Sequence, residues 1–251
     1  MKCYKLFFVF FLLFTVNKSF ATAQVPDYLI VDRDTLMIQS NPLDDYFKDH
    51  PFPEKLRTNI SSANWRGYIA YFKFLNGKLV VENIYKEEYN DENGKRDYSL
   101  VSIYKDIFGE NQNFDCSFYS GLLICPSGKM LQYVHMGYSS LYENYKLIEV
   151  EKGMKMKSKE MTGEEFQNFK INYFKYFKTT EEYKQKAKEF KEMMTDVEND
   201  PALNLDNNTK KKRENKALKK KEAEFKADKQ VDSFMFMFLS DYIKTIEIPV
   251  D

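Results

Sequence analysis

Asn76-Gly77 stands between two alternating runs, and no other dipeptide restricts the fold of this chain so narrowly. Asn-Gly accepts the positive φ angles of a type I′ turn, whose twist matches that of the flanking strands. Counting outward from the turn pairs Phe74 with Leu79 and Phe72 with Val81. That face is apolar and belongs in a core. The other face carries Lys73, Lys78 and Glu82 beside Tyr71 and Val80, with Lys73 and Glu82 as diagonal neighbours. A slip of one residue would bury those charges, so the register is well specified. Trp65-Arg66-Gly67 enters the first strand of this hairpin at the end far from the turn.

Strand patterns fill the rest of the first half. "YLIVDRDTLMI" predicts two short strands around Asp32-Arg33-Asp34, and "NPLDDYF" breaks at Pro42 into a helical turn. "GKMLQYVHMG" and "YKLIEVEKG" read as a further antiparallel pair. Between these, "DYSLVSIYKDIFG" sets Leu100, Ile103 and Ile107 at helical spacing and stops at Gly109.

The period then changes. Thr162-Gly163-Glu164-Glu165 is a capping box, followed by Phe166, Phe169, Tyr173 and Phe177 on one helical face. Thr179 is expected to open a second helix with Tyr183, Ala187, Phe190, Met194 and Val197 on its stripe. A polar stretch follows, and residues 210–221 are nearly all charged. From Val231, the spacing of Phe234, Met235, Phe238, Tyr242 and Ile246 predicts one last amphipathic helix. The expectation is therefore an α+β fold: an antiparallel meander-type sheet followed by packed C-terminal helices. It divides into an α+β domain over 24–197, a charged linker or helix over 198–230 and the packing helix over 231–251.

The N-terminus reads as a leader. Lys2 and Lys5 precede an apolar run from Leu6 to Phe14, and Ala21-Thr22-Ala23 supplies a small-x-small site. That order is a secretory signal peptide with cleavage between Ala23 and Gln24. Its apolar run is well short of the ~20 residues a bilayer span needs, and Cys3 lies too early for a lipoprotein anchor. No other segment is long and apolar enough to span a membrane. Loss of Lys2, Lys5 and Lys18 leaves 35 basic against 38 acidic residues, a balance too mild to point to nucleic acid.

Cys116 and Cys125 remain after such processing, and an even pair in an oxidising compartment points to a disulfide. Two registers stay open. If Ser120-Gly121 is a two-residue turn, Cys116 faces Cys125 at bonding distance. If Phe114 to Tyr119 and Leu122 to Cys125 form one bent strand turning at Pro126-Ser127-Gly128, the two are separate buried thiols.

"NPLDDYF", "SSANWRGYIA", "SGLLICPSGK" and "YVHMGYSSLYENY", in this order, resemble a family of secreted bacterial proteins. That family carries Asn-Pro-Leu-Glu, Trp-Arg-Gly-Tyr, Gly-Leu-Leu and Tyr-Val-His-Met-Gly-Tyr elements. The likeness runs from Asp27 to Glu182, with Asp44 where the family has Glu. It implies an exported protein and no particular activity. The two cysteines are not part of the family pattern, and the Lys-rich segment looks like a local insertion.

Candidate chemistry is sparse. His135 with Glu143 or Asp45 could do acid–base work, which makes an extracytoplasmic hydrolase one reading. No paired histidines, phosphate loop, nucleophile elbow or dinucleotide fingerprint appears, so neither metal nor cofactor is expected. Trp65, Arg66 and Tyr68 with His135, Tyr138, Tyr142 and Glu143 form a better binding set; the alternative is structural, with Trp65 plugging the end of the sheet and Arg66 paired with a carboxylate. Aromatic faces beside an arginine suit a glycan, a peptide or a protein surface. In that arrangement Arg66 needs a carboxylate partner, and Glu143 is the leading one. A secreted or periplasmic, non-enzymatic binding protein is the expected class.

Overall fold

The computed structural model describes residues 24–57, 61, 63–92, 95–134, 138–199 and 228–249. Residues 1–23, expected to be a leader, most of the charged linker and His135 lie outside the described residues.

The first hairpin forms as counted. Strands β3 (Ile69–Leu75) and β4 (Lys78–Glu92) pair Phe74 with Leu79 and Phe72 with Val81. Asn76 and Gly77 hold φ of 51° and 80°. Phe72, Leu79 and Val81 are fully buried, while Lys73 and Glu82 form an ion pair on the other face. A bulge after Tyr71 shifts the register, so Tyr71 meets Asn83.

Strands β1 (Asp27–Val31) and β2 (Asp34–Ile38) form the hairpin read around Asp32. Helix α1 (Leu43–Asp49) follows Pro42, with Asp44 and Asp45 in its first turn, where acids suit the helix dipole. The antiparallel expectation fails next to it. β1 runs parallel to β3, pairing Leu29 with Phe72, so the sheet is mixed. A parallel pair needs a long crossover, and the segment from Gln39 to Tyr68, with α1 inside it, provides one.

The "DYSLVSIYKDIFG" stretch is mostly strand. β5 (Lys95–Ser102) pairs along β4, and only Tyr104–Phe108 is helical (α2). The long, open edge of β4 outcompetes a short helix, and Tyr98 and Val101 fit a strand well. Leu100 is left half-exposed, while Ile103 is buried.

Neither cysteine register forms, but the separate buried thiols expected from the second are found. β6 (Phe114–Asp115) pairs with β4, and β7 (Gly121–Gln132) runs straight through Pro126-Ser127-Gly128. Cys116 and Cys125 are free, buried thiols. Burial raises the Cys125 thiol to about 12 and Cys116 further still, so both are inert.

β7 pairs with β8 (Leu141–Glu151), and β8 pairs with β9 (Met154–Thr162). The path is β2-β1-β3-β4-β9-β8-β7. Its two ends meet, Gln39 N–H donating to Ile124 O at 2.8 Å. The curled sheet encloses one core, to which β7 and β8 send Leu123, Cys125, Ile148 and Val150. Their other face sends Leu122, Ile124, Tyr145 and Leu147 into a second core under the helices. Burial on both faces explains the unbroken apolar "GLLIC" run.

Helix α3 (Gly163–Phe177) opens with the complete Thr162–Glu165 capping box and buries Phe166, Phe169, Tyr173 and Phe177. Helix α4 (Glu181–Asn199) follows, and Thr180 rather than Thr179 receives the Tyr183 N–H at its start. The last helix, α5, covers 228–237 and stops short of the predicted length. The chain then makes a 3-10 turn at Leu239–Asp241 and continues irregularly. Ile243 and Ile246 are still buried, and Glu149 on the sheet accepts the Ile246 N–H at 2.8 Å, drawing the tail across the strands.

Candidate functional site

Asn64-Trp65-Arg66-Gly67 is a tight turn, closed by Gly67 N–H donating to Asn64 O at 3.2 Å. Gly67 has φ of 78°, and a Cβ there would press on Arg57. The turn sends alternate side chains to opposite sides. Asn64 and Arg66 are 2% and 3% exposed, whereas Trp65 is 55% exposed.

Arg66 lies at the centre of a polar knot that ties four distant stretches together. Its Nη1 donates to Asp27 Oδ2 at 2.8 Å and to Asn41 Oδ1 at 2.7 Å, and its Nη2 donates to Val25 O at 2.8 Å. Tyr138 reinforces two of these acceptors, donating to Asn41 Oδ1 at 2.8 Å or Val25 O at 3.3 Å. The guanidinium lies 5.0 Å from the Tyr68 ring centre, and Tyr68 in turn donates to Asp44 Oδ1 at 3.0 Å. Asp27 also accepts the Ala70 N–H at 2.8 Å, which fixes β1 against β3.

The electrostatics follow from burial. Asp27 is fully buried, and desolvation raises its pKa to about 6 against the pull of Arg66. Burial also opposes the Arg66 charge, but Asp27, Tyr138, Tyr68 and Asp44 outweigh it and keep the guanidinium protonated. Near neutral pH the pair is ionic. Asp44, also near Arg66, is pushed up by desolvation. Asp241 is pushed up by desolvation and then by the Asp44 carboxylate. It is an exposed residue at the rim, where water tempers that push.

Three clefts share Asp44. One of about 400 Å³ has Trp65, Phe47, Phe52 and Arg57 in its walls. A second, of about 140 Å³, lies among Gln24, Asn41, Trp65, Tyr138 and Asp241. A third, of about 650 Å³, runs between α1, the start of α4 and Asp241. Trp65 is therefore the ridge between the first two.

Of the predicted binding residues, Trp65, Arg66, Tyr68 and Tyr138 come together. Tyr142 and Glu143 do not join them. Tyr142 packs against the helical core, and the Glu143 carboxylate accepts the Lys129 N–H at 2.8 Å. The partner of Arg66 is thus Asp27, not Glu143. Asp45 pairs with Lys48 at the surface. Asp27, Asn41, Asp44 and Asp241 escaped sequence reasoning, although the Asn-Pro-Leu element containing Asn41 was visible. Among the described residues no group of three His, Cys, Asp or Glu is arranged to hold a metal ion. No helix among them is long and apolar enough to cross a membrane. Compared with known proteins, the chain matches no family model, no curated protein and no solved structure.

Proposed function

We propose that the chain is exported, loses residues 1–23, and acts outside the cytoplasm as a non-enzymatic binding protein that presents Trp65 to a cell-surface glycan, peptide or protein. The observation that carries this reading is the contrast inside one turn: Trp65 is 55% exposed between two clefts while both its neighbours are buried. A rigidly held aromatic beside concave, part-apolar walls is the composition of a binding hot spot. The hydrolase alternative draws less support, because Glu143 is engaged by the Lys129 backbone and Asp45 by Lys48.

The test is binding of labelled mature protein to intact bacterial cells, comparing wild type with Trp65→Ala. Saturable binding should fall at least about tenfold, with unfolding free energy changed by no more than about 0.5 kcal/mol, the range of a surface substitution. Prior protease or glycosidase treatment of the cells separates protein from glycan partners. Equal binding by the variant refutes the assignment of Trp65.

A further inference from the structure

We propose that the 140 Å³ cavity beside Arg66 is the seat of the chain's own processed N-terminus, where the α-ammonium of Gln24 rests against the carboxylates of Asp44 and Asp241 and is protected from cyclisation. The proposal rests on the export and cleavage proposed above.

Placement comes first. Gln24 is part of the cavity wall together with Asp44 and Asp241. Its position is fixed from the next residue. Val25 N–H donates to Ala63 O at 2.8 Å, and Val25 O accepts from Arg66 at 2.8 Å and from Tyr138 at 3.3 Å. A cavity of 140 Å³ holds only a few waters at ~30 Å³ each. An ammonium seated in a space this small would lie close to both carboxylates that line it.

The charge balance comes second. Three carboxylates, Asp27, Asp44 and Asp241, act on one arginine. Asp27 takes Arg66 directly. Among the described residues the Asp44 carboxylate accepts from the neutral Tyr68 hydroxyl, and Lys48 acts on it at longer range. No hydrogen bond or ion pair reaches the Asp241 carboxylate among the described residues; Lys170 on α3 acts on it at longer range. Burial is the main cause of the raised pKa values of Asp44 and Asp241, and the cations nearby do not offset it. In the uncut chain the nitrogen of residue 24 is a neutral amide. Cleavage turns it into a cation at the place where one is missing, so removal of the leader completes the folded site.

The chemistry comes third. An N-terminal glutamine cyclises when its unprotonated α-nitrogen attacks its own side-chain Cδ. The new N–C bond closes a five-membered lactam and ammonia leaves, with no change in oxidation state. A protonated α-nitrogen has no lone pair to attack with. Asp44 and Asp241 favour that protonated form, and Arg66 opposes it from behind Asp27. Tyr68, Tyr138 and Lys170 also face this cluster, and at Asp44 the Asp45 carboxylate adds negative charge while Lys48 offsets it.

The experiment has two arms. The full chain is exported from a bacterial host, and intact mass identifies its first residue. Separately, the chain is released at Gln24 from a cleavable carrier protein, and glutaminyl cyclase is added at pH 8. Loss of ammonia is followed by mass for the wild type, for the Asp44→Asn/Asp241→Asn variant, and for each in urea. Native wild type should cyclise at least tenfold more slowly than its unfolded form. The double variant, with its folded state checked by circular dichroism, should lose most of that protection. An α-amine titrating above the ~8 of a free terminus agrees with docking. Equal rates for folded and unfolded wild type overturn the docking. So does full protection in the double variant, since burial alone then explains it. An exported product that starts elsewhere overturns the leader reading, independently of what the carrier-released chain does.

Discussion

Replacing Arg66 by alanine tests whether the polar knot is structural. Three acceptors lose a donor, but they do not suffer equally. Val25 O and Asn41 Oδ1 can still be reached by the Tyr138 hydroxyl, and Asp27 Oδ1 keeps the Ala70 N–H. Asp27 Oδ2 loses its partner while fully buried. Breaking a buried ion pair from one side costs about 3–5 kcal/mol. Asp27 can escape part of that cost by taking a proton, since its pKa already stands at about 6 with Arg66 present. An acid whose folded pKa is raised stabilises the fold most when protonated, and that contribution is lost as the pH rises through the folded value. Without Arg66 that value rises further. The penalty of Arg66→Ala should therefore be smallest near pH 5 and grow towards pH 7.5, by at most about 1.4 kcal/mol per pH unit. The assay is urea unfolding of wild type, Arg66→Ala, Asp27→Asn, Glu143→Ala and the two double variants with Arg66→Ala, at both pH values. A coupling on the order of 2 kcal/mol should appear between Arg66 and Asp27, and none between Arg66 and Glu143. A loss below about 1 kcal/mol, well under the cost of an orphaned buried charge, or a coupling near zero would mean that Arg66 is not the tie between β1 and its neighbours.

Phe72→Ala should cost about 3–5 kcal/mol in the same assay, because Phe72 is fully buried in the core enclosed by the sheet; a loss below about 1 kcal/mol would contradict the face assignment of the hairpin. Lys170 is 5% exposed, with its ammonium 5.9 Å and 5.2 Å from the Phe166 and Phe236 ring centres, and burial lowers its pKa to about 8. A lysine with a lowered folded pKa destabilises the fold below that value, and the deficit disappears as the pH rises from about 8 towards the unfolded 10.5. Lys170→Met should therefore stabilise at pH 7, by up to about 3 kcal/mol if the whole shift is recovered, and the gain should shrink by pH 9.5. A gain that does not change with pH would place the ammonium in water.

What could be read in the sequence was local. Asn76-Gly77 and the Thr162–Glu165 box each specify a few neighbouring torsions and hydrogen bonds, and both formed as spelled out. The β1–β3 pairing joins residues about forty apart through a crossover, and no short pattern encodes such an alignment. β9 was missed for another reason. Its "MKMKSKEMT" buries only Met161, so no apolar alternation marks it. The strand is specified by its turn, Lys152-Gly153, where both residues have positive φ, and by pairing along β8. β4 meets β9 only at Met154, and along the rest of that side lysines are a common guard against unwanted pairing. In "DYSLVSIYKDIFG" the helical spacing was real, but a neighbouring strand edge outweighed it.

The candidate site resisted sequence reading because its two adjacent principal residues do opposite jobs. Arg66 and Trp65 look like one recognition motif. The turn separates them, and Asp27, thirty-nine positions earlier, decides which side the arginine takes. The tryptophan is left facing water. A buried Trp removes up to ~250 Å² from solvent, so 55% exposure forgoes on the order of 3 kcal/mol at ~25 cal/mol per Å². An exposed leucine would carry no such message, since single apolar residues are ordinary on surfaces. A tryptophan held outward by a turn with buried neighbours has its orientation set by the fold, so a partner covering it need not order it first. The roles then separate by experiment. Arg66→Ala should weaken stability and, through a loosened turn, binding as well, whereas Trp65→Ala should weaken binding alone.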